Sequence, residues 1–99
     1  MFRIDVDEED GKATIRIKIA GRLGTECAEE VRHQVLSSRD PHRLAVDLSE
    51  VTFLENRGEE VLSWLGNIGA RFISDGFYSL GICERLHLPI LKGNGSRRR

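Results

Sequence analysis

The sequence predicts an α/β domain in which helices pack on a mixed β-sheet, with the elements in the order ββαβαβα. Two stretches near the N-terminus alternate apolar and polar residues, as strands with one buried face do. Residues 44–48 are apolar enough for a strand that is covered on both faces. Apolar residues at helical spacing occur in three other places. These patterns together predict a sheet with helices within one domain.

The first two strands are predicted to form an antiparallel hairpin. Residues 2–7 alternate, and residues 13–19 alternate again with their isoleucines on one face. Residues 8–11 between them are polar and end in glycine, which favours a turn. A short turn between two alternating stretches is typical of a hairpin.

The rest of the chain predicts three helices and two parallel strands. The first helix starts near Thr25, which can cap it, and ends before Pro41, because proline disfavours helical geometry at the preceding residue. A strand–helix–strand unit spans residues 43–73, so its strands are expected to be parallel with a right-handed crossover. The helix of this unit covers about 57–68, and a third helix covers 77–86.

The length of 99 residues is that of one domain. We assign residues 1–91 to it, with residues 88–91 as either a short edge segment or a packed extension. Residues 92–99 are predicted to be a flexible basic tail. Three of the 15 basic residues are the final arginines, Arg97, Arg98 and Arg99, so the rest of the chain, with 16 acidic residues, is acidic. An acidic body argues against a nucleic-acid-binding face, which needs clustered basic residues.

The sequence gives no sign of export or of membrane insertion. Its N-terminus is acidic and alternating, unlike a signal peptide, and no stretch approaches the ~20 apolar residues of a membrane span. Cys27 and Cys83 lie far apart without CxxC spacing, so both are expected to be free and buried. We therefore expect a cytoplasmic protein.

Motifs for catalysis or for cofactors are missing from the sequence. The histidines are scattered, no metal-ligand spacing occurs, and no glycine pair carries a phosphate-loop lysine, so no metal or cofactor is expected. Asp47 and Glu55 flank a loop predicted at 49–57 and are candidates for the acid/base pair of a small hydrolase or transferase. Structural roles are favoured, because no nucleophile accompanies them. Asp47 is expected to accept a backbone N–H in the following turn, and Glu55 to lie beside a helix start.

The start of the second helix has the spacing of a capping box. Asn56 is placed to accept a hydrogen bond from the backbone of Glu59, and the Glu59 side chain is placed to reach back. Acidic residues at positions 59 and 60 also suit the positive end of the helix dipole.

The stretch from Leu44 to Gly58 resembles the core signature of STAS domains, the family of bacterial anti-sigma factor antagonists. That signature is a hydrophobic strand ending in D-L-S, followed by a V-x-F-[ILM]-D-S-[ST]-G loop that opens a helix. The chain reads DLS at 47–49 and VTFLENRG at 51–58. A "G-x-L" corner at 21–23 adds support, and the resemblance covers roughly residues 2–88. It implies a STAS-like fold and a non-enzymatic role in transcription regulation.

The resemblance also implies which residues act. In the family, the serine after the loop aspartate is phosphorylated by a kinase that is also an anti-sigma factor, and the unphosphorylated antagonist binds that kinase. Here Glu55 stands at the aspartate, Asn56 at the serine and Arg57 at the next position. Asn56 has no hydroxyl, so we expect docking without a phosphorylation switch there. Three hydroxyl residues remain as substitute acceptors: Ser49, Thr52 and Ser63.

The expected partner is a protein, such as a kinase-like anti-sigma factor or a related ATPase. We expect Ser49 and the start of the second helix to contact it, through Glu55, Asn56, Arg57, Gly58 and Glu59. The alternative is an accessory subunit of a transporter ATPase, as some stand-alone STAS proteins are. Some relatives bind nucleotide, but this sequence offers no phosphate motif for it.

Overall fold

The computed structural model describes residues 1–8, 15–37 and 43–90. Within this part of the chain the elements follow the predicted order, which is thereby confirmed. The strands are β1 (Phe2–Glu8), β2 (Ile15–Leu23), β3 (Leu44–Leu54) and β4 (Arg71–Ile73), and the helices are α1 (Thr25–Leu36), α2 (Asn56–Asn67) and α3 (Phe77–Leu86). The predicted turn at 8–11, the end of the first helix before Pro41 and the tail at 92–99 fall on or run into residues outside the described ranges.

The strands form one mixed sheet in the order β1-β2-β3-β4. β1 pairs antiparallel with β2, as the hairpin prediction required, and β3 runs parallel to both β2 and β4. The segment after α3 lies along the free edge of β4. There the N–H of Phe72 donates to the carbonyl of Pro89 at 2.9 Å, and Ile90 forms a parallel bridge with Phe72. Of the two placements left open for residues 88–91, the edge segment is therefore the observed one for Ile90.

The core lies between one face of the sheet and the helices. Ile17, Val46 and Phe72 are neighbours across β2, β3 and β4, and each is at most 1% exposed. All three helices contribute buried residues to the same hydrophobic cluster. On the opposite face, Ala45 and Asp47 are also buried, so the two-sided burial predicted for residues 44–48 is confirmed. None of the described helices is long and apolar enough to cross a membrane.

The largest difference from the sequence prediction is the length of β3. The strand was predicted to end at residue 48, but it continues to Leu54, so the predicted loop at 49–57 shrinks to Glu55 alone. The polar residues after Leu48 resemble a loop in sequence. They remain in a strand because β2 extends alongside as far as Leu23, and register shifts, typical of β-bulges, keep the two strands paired.

Some helix faces also differ from prediction. Helical spacing predicts Leu36 and Tyr78 on the apolar stripes of their helices, but they are 68% and 50% exposed. Helix α3 instead buries Ser79, Ile82 and Cys83, a set at i, i+3 and i+4 spacing that faces the sheet. Thr25 does not cap α1 either, because Gly24 is the N-cap and Thr25 is already the first helical residue.

Candidate functional site

The site predicted from the sequence is the junction of β3 and α2, here called the α2 corner (residues 54–60). A single residue, Glu55, separates the strand from the helix. Its N–H donates to the carbonyl of Leu23 at 3.0 Å, which ties the end of β3 to the end of β2. The chain therefore turns from sheet to helix over one residue, and the first turn of α2 is held against the neighbouring strand.

Gly58 allows this close approach. A β-carbon at position 58 would overlap the carbonyl oxygen of Leu23 and would lie 2.9 Å from Cδ1 of Leu54. Neither backbone nor core can yield that much, so only glycine fits. Gly58 is buried and supports the α2 corner from beneath.

The predicted capping box does not form. Glu55 rather than Asn56 is the N-cap, and its carbonyl accepts the N–H of Glu59 at 2.9 Å without any side-chain cap. The Glu59 carboxylate pairs instead with Arg85 of α3 at 2.9 Å. The extension of β3 explains the error, because it moves the helix start one residue earlier than the sequence spacing suggests.

The first turn of α2 exposes two side chains at the positions that the resemblance singled out. Asn56 and Arg57 are both exposed, and Arg57 forms an ion pair with Glu60 one turn later at 3.2 Å. The α2 corner therefore presents a neutral amide beside a charged pair, on a backbone fixed by buried contacts.

Two further side chains adjoin the α2 corner and were not predicted from the sequence. Arg22, near the end of β2, pairs with Glu55 at 3.2 Å, and its guanidinium lies 4.8 Å from the ring centre of Phe53. Phe53 is 48% exposed. The guanidinium and the ring form a cation–π contact. Arginine and aromatic residues are both enriched at protein interfaces. The signal in the sequence is Arg22 itself, at the variable position of the "G-x-L" corner.

Grooves flank α2 on both sides and share Trp64. The groove between α1 and α2 has a volume of about 290 Å³, with Ala28 and Val61 among its lining residues. Arg32 lies over the Trp64 ring there, at 5.3 Å from its centre. The groove toward α3 has a volume of about 550 Å³ and extends from Asn56 to the C-terminal end of α2. Trp64 is half-buried.

Ser49 lies apart from the α2 corner. It is half-buried in β3, and its N–H donates to Oδ1 of Asp47 at 2.9 Å. Asp47 therefore accepts a backbone N–H as predicted, but within β3 and not in the turn that was expected. Ser49 and Glu55 are separated along the strand by roughly 20 Å at the usual rise per residue. Asp47 lies farther still, so it forms no acid/base pair with Glu55. Of the substitute acceptors, Thr52 is exposed on β3 and Ser63 is half-buried in the groove toward α3.

Cys27 and Cys83 are free and buried, as predicted. Burial, with a contribution from the Glu30 carboxylate, raises the pKa of Cys27 to about 11, and burial also raises the pKa of Cys83. Both thiols are therefore protonated near neutral pH and unsuited to nucleophilic attack. In the described ranges, no group of three or more His, Cys, Asp or Glu side chains is placed to hold a metal ion.

The chain matches no family model and no curated protein, but it is similar to solved structures. One is the anti-sigma factor antagonist SpoIIAA in its unphosphorylated form, with a TM-score of 0.63 and 12% identity over 93% of this chain and 90% of that one. Another is an anti-sigma factor antagonist from Mycobacterium paratuberculosis, with a TM-score of 0.61 and 19% identity over 90% and 86%. A third is an uncharacterized protein with a SpoIIAA-like fold from Shewanella loihica, with a TM-score of 0.59 and 16% identity over 85% and 75%.

These similarities define the fold of the chain. It is the SpoIIAA-like fold of anti-sigma factor antagonists, which confirms the STAS-like fold expected from the residues between Leu44 and Gly58. At identities below 20% the likeness concerns the fold, and the function has to be argued from the α2 corner itself.

Proposed function

We propose that this protein is a non-enzymatic, cytoplasmic regulatory domain that binds a kinase-like anti-sigma factor through the α2 corner. The observation that carries the proposal is the exposed pair Asn56 and Arg57 in the first turn of α2. They occupy the positions where the STAS resemblance places the phospho-acceptor and its neighbour. Gly58 beneath them fixes the backbone, so the partner meets a preformed surface, which lowers the ordering cost of binding.

The contact surface comprises the exposed side of the α2 corner and the adjoining groove toward α3. Glu55 and Glu59 belong to it, each oriented by an ion pair, with Arg22 and Arg85 respectively. Exposed ion pairs add little to stability, so their value here is the ordered pattern of charge offered to a partner. Ser49, roughly 20 Å away along β3, falls outside this contact.

Because Asn56 has no hydroxyl to phosphorylate, binding through this surface is expected to be constitutive. A phosphate at a helix start would add up to two negative charges to the interface, and Asn56 has no hydroxyl to accept one. Its neutral amide is closer in charge to serine than to phosphoserine. The domain is therefore expected to remain in the binding-competent form whatever the activity of the partner kinase.

Binding of the purified chain to candidate kinase-like anti-sigma factors, with and without ATP, tests the docking surface. Arg57→Glu reverses an exposed charge at the centre of the α2 corner and is expected to weaken binding at least roughly tenfold. Arg71→Glu is the matched control, since Arg71 is exposed on β4 away from the corner, and it should leave the affinity unchanged. No binding in any nucleotide state, or equal losses for both variants, would contradict the proposal.

The Asn56→Ser variant tests the missing switch. With the cognate kinase and ATP, this variant should gain one phosphate and lose affinity, while the unaltered chain gains none. Intact-mass spectrometry and binding assays measure both effects. Phosphate on Ser49, Thr52 or Ser63 of the unaltered chain would show that the switch has moved rather than disappeared. If Asn56→Ser changes neither phosphorylation nor binding, the α2 corner is only a scaffold.

A further inference from the structure

The outer edge of β1 has no partner strand among the described residues. β1 pairs with β2 from Phe2 to Glu8 without a register shift, and it contains no proline. Natural sheets usually protect an edge by shortness, bulges, proline or charged side chains. Of these, β1 has only charged side chains, at four of its seven positions. The opposite edge follows that rule, because β4 has three residues and Ile90 covers part of it. The edge of β1 is long, regular and open.

The main chain of β1 offers alternate residues to a further strand. The N–H of Arg22 donates to the carbonyl of Met1 at 3.1 Å. In an antiparallel pair the residues that bond across alternate along the strand, so Met1, Arg3 and the next odd-numbered residues direct their main-chain groups at β2. Phe2, Ile4 and Val6 consequently direct their N–H and C=O groups outward.

The side chains of β1 have a palindromic pattern. Phe2, Ile4 and Val6 share the core face, where Val6 is 49% exposed and the other two are half-buried. Arg3 and Asp5 share the opposite face and lie 3.2 Å apart as an exposed ion pair. Outward from Ile4 in either direction, the pattern is a charged residue and then an apolar one, with charges of opposite sign.

We propose that β1 pairs antiparallel with β1 of a second copy of this chain, with Ile4 on the twofold axis. Phe2 then faces Val6 of the second copy, and Arg3 faces Asp5 of the second copy. The apolar pairs extend the core face, and the charged pairs are opposite in sign, both of which stabilise a sheet. The outward main-chain groups of each apolar pair exchange two hydrogen bonds. The interface is isologous and closes at two copies.

The charges also select this register over its neighbours. Moving the twofold axis to Arg3 would place Arg3 opposite Arg3 of the second copy. Moving it to Asp5 would place two aspartates opposite each other. Like charges directly opposite destabilise an antiparallel pair, so only the axis at Ile4 satisfies both faces of the strand.

Sedimentation velocity of the full chain tests the proposal. Protein concentrations of roughly 10 µM to 1 mM are needed, because a single strand pair is a small interface and should bind weakly. The unaltered chain should shift from monomer to dimer within that range. Arg3→Asp and Asp5→Arg should each raise the dimer dissociation constant roughly tenfold or more, since two cross-strand pairs become repulsive. Circular dichroism verifies that each variant remains folded.

Mixing these two variants gives the decisive result. In a heterodimer, the aspartate introduced at position 3 of one variant faces the arginine introduced at position 5 of the other. The remaining charged pair is complementary as well, because it joins Asp5 of the first variant to Arg3 of the second. Dimers should therefore reappear on mixing.

A backbone variant tests the strand pairing itself. Val6→Pro removes an outward N–H and should abolish dimers, whereas Val6→Ala as its control keeps the N–H and should retain them. A monomeric unaltered chain at every concentration, or a mixture of the two charge variants that stays monomeric, would overturn the proposal and leave the edge to a strand of another protein.

Discussion

The domain turns from sheet to helix in the same way at two places, but with different consequences. At the first, Gly24 separates β2 from α1, and its carbonyl accepts the N–H of Ala28 at 2.8 Å. At the second, Glu55 separates β3 from α2 and accepts from Glu59 in the same manner. Both cap residues are extended, with φ of −116° and −102°, and neither helix has a side-chain cap.

The side chains distinguish the two turns. The third helical residue is buried in both, but it is Cys27 in α1 and Gly58 in α2. The Glu55 side chain lies over the α-carbon of Gly24, so the second turn rests on the first. The first turn therefore supports the second turn, and the exposed side chains of the second turn form the surface. Exposure of Asn56 and Arg57 follows from this stacking rather than from a flexible loop.

A side chain at position 58 should have the largest effect on stability, because only glycine allows the close approach of α2 to β2. Gly58→Ala places a methyl group in overlap with the Leu23 carbonyl, so α2 must move away from β2. The free energy of unfolding should fall by roughly 3 kcal/mol. Gly81→Ala is the control, because nothing lies within 4 Å of its added β-carbon in α3. It should stabilise the fold by about 0.5–1 kcal/mol. Urea denaturation measures both, and similar effects for the two variants would contradict the packing role of Gly58.

Burial of the Cys27 thiol in the first turn should make the free energy of unfolding depend on pH in the alkaline range. Its pKa rises from 9.0 to about 11 on folding, so the folded state holds the proton over a range in which the unfolded chain releases it. The contribution is fully present below pH 9 and is lost as the pH rises toward 11, at a cost of about 1 kcal/mol by about pH 10. Urea titrations at about pH 8 and about pH 10 test this linkage. Cys27→Ala should flatten the slope, and an unchanged slope would show that the thiol is not protected.

The smallest expected effect concerns the contact between the two turns. A β-carbon at Gly24 would lie 2.7 Å from Oε1 of Glu55, the movable end of a side chain. Gly24→Ala should therefore be nearly neutral, because a less flexible unfolded chain offsets the displaced carboxylate. In a Glu55→Ala background the same substitution should become stabilising, with a coupling of roughly 0.5–1 kcal/mol in a double-mutant cycle. Additive effects would mean that the second turn does not rest on the first.

The sequence was most informative where a pattern is local. Alternation in β1 and β2 and the apolar run from Leu44 predicted the sheet, and the motif that ends at Gly58 led to the contact surface that we propose at the α2 corner. It was least informative after Leu48, because polar residues on an exposed strand face resemble a loop. That error displaced the helix start and produced a capping box that does not exist.

Arg22 and Phe53 illustrate what a single sequence conceals. They are far apart in the chain and meet only because β2 and β3 pair in parallel with shifted register. Phe53 fills the phenylalanine position of the V-x-F motif and Arg22 the variable position of the "G-x-L" corner, but no local pattern pairs them. Their contact, and the Arg22–Glu55 pair beside it, needed the strand register, which depends on the sum of many long-range contacts.

The sequence by itself determined the order of the elements, the buried faces of β2 and β3, and the absence of a hydroxyl at Asn56, because each depends on residue type and local periodicity. Tertiary structure alone decided how the α2 corner packs on the first turn, the burial of Gly58, and the edge of β1 that has no partner strand among the described residues. The physical reason is that these features depend on which backbone atoms approach each other across the sheet. That distance is set by strand register and helix packing together, and no local pattern encodes it.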